Sequence, residues 1–158
     1  MLKESDFYFI IKNSPIVAID FVVQNKKNKK ILLGFRNNEP AKGEYFTFGS
    51  ILKKNESIFD AQNRVLKSEL GIENFSNKIK FIGIHEHNYH NNFKDNKTRT
   101  HYVVISYLIR INEKKIKHIQ HNKNPYLNQH SDLKWFKIKK ILKSQKFHKN
   151  VKLILKNL

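Results

Sequence analysis

The stretch "GSILKKNESIFDAQNRVLKSELGI" (Gly49–Ile72) predicts a capped, amphipathic helix that follows a turn of small residues. Ser57 with Asp60 three residues later is typical of a helix start, and Gly71 is typical of a helix end. Glu69 lies near that end, where the helix dipole disfavours a carboxylate. It therefore needs a cation, either a Lys or Arg side chain or a hard divalent metal. Apolar residues at helical spacing predict one buried helix face: Ile58, Ala61, Val65 and Leu66.

The spacing within this stretch resembles the Nudix box, Gly-x5-Glu-x7-Arg-Glu-U-x-Glu-Glu-x-Gly-U, in which U is an aliphatic residue. Ser50 stands at the position of the box glycine, and Val65 and Ser68 stand at two of its glutamates. The resemblance implies a Nudix α/β/α sandwich with a mixed central sheet. It also implies a hydrolase whose glutamates hold Mg²⁺. The residues that agree with the box are Glu56, Arg64, Leu66, Glu69, Gly71 and Ile72.

Segments on both sides of the box narrow the resemblance to one Nudix branch, the GDP-mannose mannosyl hydrolases. The resemblance covers roughly residues 5–145. The branch also lacks the box glutamates at the positions of Val65 and Ser68. The resemblance implies that a GDP-hexose is hydrolysed to GDP and free sugar by attack of water at the anomeric carbon. The segments, in chain order, are "SPIVAIDFVVQN", "LLGFRNNEPAKGEYF", "HEHNYHNNF", "THYVVI" and "NQHSDLKWF".

The same resemblance implies a Mg²⁺ site built from hard oxygen ligands. The ligands would be the backbone carbonyl of Gly49, the carboxylate of Glu69 and the amide oxygen of Gln129. Substrate phosphate oxygens and water would complete the coordination. Glu56 would instead form a structural salt bridge with Arg64, an active-site position of the family.

The remaining active-site positions carry over one by one. His130 would deprotonate the attacking water, since its ordinary pKa of about 6.5 suits a base at neutral pH. Taken without the resemblance, a histidine in a Lys-rich loop is more typically a solvated side chain. Arg36 and Tyr102 would contact the diphosphate, although Arg36 alone is also typical of a surface cation at a strand end. His87 would be a second active-site histidine. Asp20, a carboxylate within an apolar strand, would contact sugar hydroxyls.

Two departures from the branch fall where its members carry Pro-Gly-Gly-Arg. This chain has Phe48-Gly49-Ser50-Ile51 there. Without the arginine at Ile51, transition-state stabilisation at the diphosphate should be weaker. A side chain at Ser50 should strain a turn that a glycine makes freely. Two alternatives stay open: a Nudix-fold protein that binds nucleotide sugars with little or no catalysis, and a pyrophosphohydrolase that attacks phosphorus.

Composition agrees with one small enzyme. The 158 residues are expected to form a single domain, 1–158, and the absence of Cys excludes disulfides and thiol chemistry. The net charge of +18 comes mainly from lysine, since only four of the 31 basic residues are arginine. We interpret this as a general Lys/Asn/Ile bias, and no nucleic-acid partner is expected.

The apolar runs and the N-terminal segment predict the cellular location of the protein. No apolar run approaches the roughly 18 residues of a membrane span. The N-terminus "MLKESDFYFIIKNS" does not read as a signal peptide. A cytoplasmic protein without membrane contact is therefore expected, and the resemblance implies a homodimer.

Period-2 patterns predict the strands of the sheet. Residues 16–23 should form a buried strand in a hairpin with "ILLGF", and residues 45–48 a short strand before the box. After the helix come the strands "KIKFIGIHEH", "HYVVISYLIRI" and "LKWF" and a helical C-terminus from Lys137. Long polar loops are expected at 87–98 and 112–132, and loops of that length are often functional.

Overall fold

The computed structural model describes residues 3–73, 79–112 and 129–158, which form one seven-stranded sheet with helices on both faces. The elements in chain order are α1 (Glu4–Asn13), β1 (Ile16–Asn25), β2 (Ile31–Arg36), β3 (Tyr45–Phe46), β4 (Phe48–Ile51), α2 (Ile58–Leu70), β5 (Ile79–Tyr89), β6 (Thr100–Ile111), β7 (His130–Phe136), α3 (Ile138–Lys143) and α4 (Lys149–Leu155).

Strand β1 is the centre of the sheet and explains its mixed character. One edge of β1 pairs in parallel with β6 along its whole length, from Ile16 opposite Tyr102 onward. The other edge is divided, because Ala18–Phe21 pair antiparallel with β4 and the following residues pair antiparallel with β2. The order of the main path is β3-β2-β1-β6-β5, with β7 paired to β2. The hairpin expected between the first two strands is confirmed.

Alternation along β1 supplies two cores, one on each face of the sheet. On one face, Ile19, Phe21 and Val23 pack against the buried residues of α2. On the other face, Val22 packs with the apolar sides of α3 and α4. Helices therefore cover both faces, which confirms the predicted α/β/α sandwich with a mixed sheet.

Helix α2 begins and ends as its sequence predicts. The Ser57 hydroxyl accepts a hydrogen bond from the Asp60 backbone N–H, and Gly71 adopts the left-handed conformation at φ 62°. Ala61, Val65 and Leu66 are fully buried. Ile58 is 42% exposed, so its predicted burial is wrong. It is the first residue of the helix, where fewer neighbours cover a side chain.

Three parts of the chain differ from the sequence-based expectation. Residues 4–13 form helix α1, which the sequence pattern did not indicate. The C-terminus forms two short helices rather than one, and the segment between them buries Phe147. Val17 is 40% exposed on an otherwise buried strand.

Most of the predicted loop 112–132 lies outside the described residues. No helix in the described segments is long and apolar enough to cross a membrane.

Candidate functional site

A cavity of about 400 Å³ opens on the side of the sheet that carries Phe46 and Tyr89, both part of the core under α3 and α4. Its floor is a row of side chains across three neighbouring strands, because Ala18 of β1 pairs with Ile51 of β4 and with Val104 of β6. The lining residues are Ala18, Asp20, Arg36, Asn38, Glu39, Pro40, Phe46, Gly49, Ser50, Ile51, His87, Tyr89, Tyr102, Val104 and Gln129.

Asp20 is the buried carboxylate of this cavity. Its Oδ2 accepts a hydrogen bond of 2.9 Å from the Thr47 hydroxyl. Burial raises the pKa of Asp20 to about 6, and the nearby Glu69 carboxylate adds to the rise. Strand pairing places Gly49 opposite Asp20, and a Cβ at Gly49 would overlap Oδ1 of Asp20 and lie 2.5 Å from the backbone oxygen of Ile19. The glycine is thus required for the carboxylate to lie over the strand.

Arg36 is the cation among the described residues that line the cavity. Its Nη1 donates to Oε1 of Gln129 at 3.0 Å, and its guanidinium lies over the Phe46 ring at 5.9 Å. Tyr102 also lines the cavity, and burial raises the pKa of its hydroxyl. This hydroxyl therefore stays protonated and can donate a hydrogen bond.

Glu69 and His130 form a part-buried pair next to the cavity, although neither lines it. Oε2 of Glu69 accepts from Nδ1 of His130 at 3.1 Å, and the His130 side chain is only 2% exposed. The side chain that contacts Glu69 is therefore a histidine and not a Lys or Arg. His130 packs against Phe48, and a Cβ at Gly34 would lie 2.6 Å from the imidazole ring.

The second ring nitrogen of His130, Nε2, is the atom of this pair that can accept a proton. Since Glu69 accepts from Nδ1, the neutral ring carries its proton there and leaves a lone pair on Nε2. This Nε2 is buried without a hydrogen-bond partner. Burial lowers the pKa of His130, while the hydrogen bond to Glu69 opposes that shift. The imidazole is therefore neutral near pH 7.

Arg64 binds strand β4 to the segment before α2 rather than lining the cavity. It donates to both oxygens of Glu56, at 2.6 and 2.8 Å. It also donates to the Ser50 hydroxyl at 3.2 Å and to the Ile51 backbone oxygen at 2.9 Å. The predicted salt bridge is confirmed. The predicted strain at Ser50 is wrong, because Ser50 lies in an extended strand opposite Ile19 and is not among the residues with positive φ.

His87 is buried at the cavity wall. It is 2% exposed, its Nε2 lacks a hydrogen-bond partner, and its ring meets Phe46 edge-on at 6.0 Å. Burial lowers the pKa of His87 to about 3, with smaller contributions from His85 and His148. The neutral ring offers a polar group to a bound ligand without adding charge.

Several lining residues were not predicted as site residues. Asn38, Glu39 and Tyr89 all line the cavity. They stand within the quoted segments, but no spacing rule distinguishes them from their polar neighbours. Only the approach of the loop after β2 to the strands reveals their position.

The donor set fits a hard divalent cation that is shared with a ligand. Asp20 and Glu69 are close enough for their charges to interact, and Gly49 lies directly opposite Asp20. Within the described segments, no cluster of three or more His, Cys, Asp or Glu residues could hold a metal alone. Mg²⁺ is commonly held by one or two carboxylates with substrate phosphates and water, which is the arrangement these residues allow.

Comparison with known proteins defines the family. A model of the NUDIX domain matches residues 14–158. The low-salt glycan biosynthesis protein Agl8 of Haloferax volcanii is 30% identical over 135 residues, which are 85% of this chain and 79% of Agl8. The chain therefore belongs to the NUDIX family, whose members are hydrolases of nucleotide derivatives that generally use divalent metal ions such as Mg²⁺.

Solved structures agree on the fold. A MutT NUDIX hydrolase from Burkholderia pseudomallei has a TM-score of 0.69 at 18% identity, covering 92% of this chain and 99% of that one. The NUDIX domain of Shewanella oneidensis NrtR, solved with ADP ribose, has a TM-score of 0.65 at 17% identity, covering 99% and 96%. At these identities the likeness shows the fold alone.

Proposed function

We propose that this chain hydrolyses a GDP-hexose of the GDP-mannose type to GDP and free sugar, with water attacking the anomeric carbon and Mg²⁺ as cofactor. The observation that carries the proposal is the Glu69–His130 hydrogen bond beside a cavity that holds Arg36 and Asp20. A relative named for glycan biosynthesis supports a sugar-containing substrate.

The charges of the cavity suit the two halves of such a substrate. The Arg36 guanidinium can form two parallel hydrogen bonds to a diphosphate, and the Tyr102 hydroxyl can donate to another of its oxygens. Asp20 offers acceptor oxygens to sugar hydroxyls. A volume of about 400 Å³ lies within the range of small-molecule sites.

His130 is the base of the proposed reaction. Its Nε2 has no hydrogen-bond partner among the described residues, so its lone pair is the group that would take a proton from the attacking water. In the reaction, water gives a proton to Nε2 while its oxygen bonds to the anomeric carbon. The bond from that carbon to the phosphate oxygen breaks, its electron pair goes to the diphosphate, and GDP leaves. Glu69 fixes the tautomer and stabilises the imidazolium that forms.

A divalent metal, when bound, would neutralise the charge that grows on the leaving diphosphate. Glu69 and the Gly49 carbonyl are the groups that would hold it. Gln129, as a further ligand, stays a prediction.

Glu69→Gln should abolish Mg²⁺-dependent turnover and weaken Mn²⁺ binding, measured by titration. Glu73→Gln, an exposed carboxylate near the same helix end, is the matched control and should bind Mn²⁺ normally.

Hydrolysis in ¹⁸O-labelled water tests the reaction. Attack at carbon places the label in the sugar, as we expect. Label in a phosphate would instead establish a pyrophosphohydrolase, and tight binding of GDP-mannose with no product would establish a binding protein. A homodimer, a cytoplasmic location and the lack of a nucleic-acid partner stay predictions.

A further inference from the structure

We propose that Glu39 is a specificity-determining residue, whose carboxylate accepts hydrogen bonds from N–H or O–H donors of the bound nucleotide sugar and is positioned by Asn91. This inference rests on the nucleotide-sugar hydrolysis proposed above and adds the group that selects the substrate. Glu39 belongs to the loop after β2, and Asn91 belongs to the loop after β5.

Glu39 differs from the other carboxylate of the cavity wall. Asp20 is buried and already bonded to Thr47, whereas Glu39 stands partly exposed in the lining. Its Oε2 accepts a hydrogen bond of 2.8 Å from Nδ2 of Asn91. A carboxylate repels a diphosphate, so it suits the part of the ligand that presents hydrogen-bond donors. Arg36 serves the anionic part.

The loop that carries Asn91 is tightly organised. Asn92 is 2% exposed, and its Oδ1 accepts from the backbone N–H groups of Lys94 and Asp95 at 2.7 and 3.1 Å. Its Nδ2 donates to the Thr98 backbone oxygen at 2.8 Å. The Thr100 hydroxyl donates to the Asn91 backbone oxygen at 2.7 Å. Asn91 is therefore held at a defined position, as a group that orients a carboxylate must be.

Helix α1 holds the same loop from outside. The Tyr8 hydroxyl donates to Asp95 at 2.6 Å and lies 2.8 Å from the Thr98 hydroxyl. The rings of Phe7 and Phe93 stack with centroids 5.4 Å apart. This helix precedes residues 14–158, the segment that the family model matches. It thus links a part of the chain outside that match to the loop that carries Asn91.

The chemistry of a carboxylate limits what it recognises. It accepts hydrogen bonds and donates none when ionised. Guanine presents an N–H and an exocyclic amino group side by side, and a hexose presents vicinal hydroxyls. A site built to satisfy such donors discriminates against analogues that lack one of them, because its acceptor is then left unpaired.

The test compares wild type with Glu39→Gln. The substrates are GDP-mannose, its inosine analogue, which lacks the amino group, and GDP-mannose analogues that each lack one sugar hydroxyl. We expect wild type to prefer GDP-mannose in kcat/KM over one class by about 10-fold or more, and Glu39→Gln to lose most of that preference. If Glu39→Gln loses the preference over the inosine analogue, the donor to Glu39 is the base. If it loses the preference over a deoxy-sugar analogue, the donor is a sugar hydroxyl. Glu44→Gln is the matched control and should keep every ratio.

Binding measured alongside turnover separates the two proposals. If wild type binds these ligands without turnover, hydrolysis is wrong, and the ratios of Kd still test Glu39. Asn91→Ala should reduce the same preference by about 3-fold, whereas His90→Ala should not. Unchanged ratios in Glu39→Gln would overturn the assignment, and so would the absence of any binding.

Discussion

The contact between Glu56 and Arg64 allows a prediction of both stability and its pH dependence. The two side chains share two hydrogen bonds and are 12% and 25% exposed. The hydrogen bond from Arg64 lowers the pKa of Glu56 from 4.5 to about 2. At 1.36 kcal/mol per unit this is about 3 kcal/mol, and solvent screening reduces it to about 1–2 kcal/mol. Glu56→Gln should therefore destabilise the protein by about 1–2 kcal/mol at pH 7.

The sign of the pH effect follows from the lowered pKa. The folded state favours the ionised carboxylate, so the stabilisation is complete above pH 4.5 and declines as pH falls towards 2. At pH 3, the difference in the free energy of unfolding between wild type and Glu56→Gln should be about half of its value at pH 7 or smaller.

Urea unfolding followed by fluorescence of Trp135, the single tryptophan of the chain, measures these free energies. Glu73→Gln is the control, since Glu73 forms a 3.0 Å ion pair with Lys67 but is 59% exposed. That control should change stability by less than about 0.5 kcal/mol. Equal effects of the two variants at pH 7, or a gap for Glu56→Gln that does not narrow by pH 3, would refute the reasoning.

Three further predictions concern single positions. Gly34→Ala should cost about 1–3 kcal/mol in urea unfolding and displace His130, whereas Gly83→Ala, with its nearest atom at 3.4 Å, should be mild; equal costs would contradict this. Because the pKa of His87 falls to about 3 on folding, acid should destabilise the protein below pH 6.5, by about 2 kcal/mol at pH 5, and His87→Gln should flatten the stability profile. An unchanged slope would exclude His87 as the cause. Ile51 lines the cavity, so Ile51→Arg should raise kcat on GDP-mannose by roughly 10- to 100-fold and affect KM less; no gain would show that the missing arginine does not limit the rate.

Local signals in the sequence were sufficient for several structural features. The Ser57 cap and the Gly71 terminus depend on residues within a few positions of each other, so the sequence pattern predicts them directly. The pairing of β1 with β2 likewise follows from two apolar runs joined by a short polar turn. The salt bridge of Glu56 and Arg64 spans only eight residues.

The candidate site depended on contacts that no local pattern contains. The sequence by itself determined the helix that carries Glu69, the α/β class and the family resemblance, because periodicity, capping and motif spacing are local properties. Only the tertiary structure paired Glu69 with His130, 61 residues away, and Arg36 with Gln129, 93 residues away. It also placed Ser50 in an unstrained strand and Glu39 at the cavity. These outcomes depend on strand register and on the approach of distant loops, which many residues decide together.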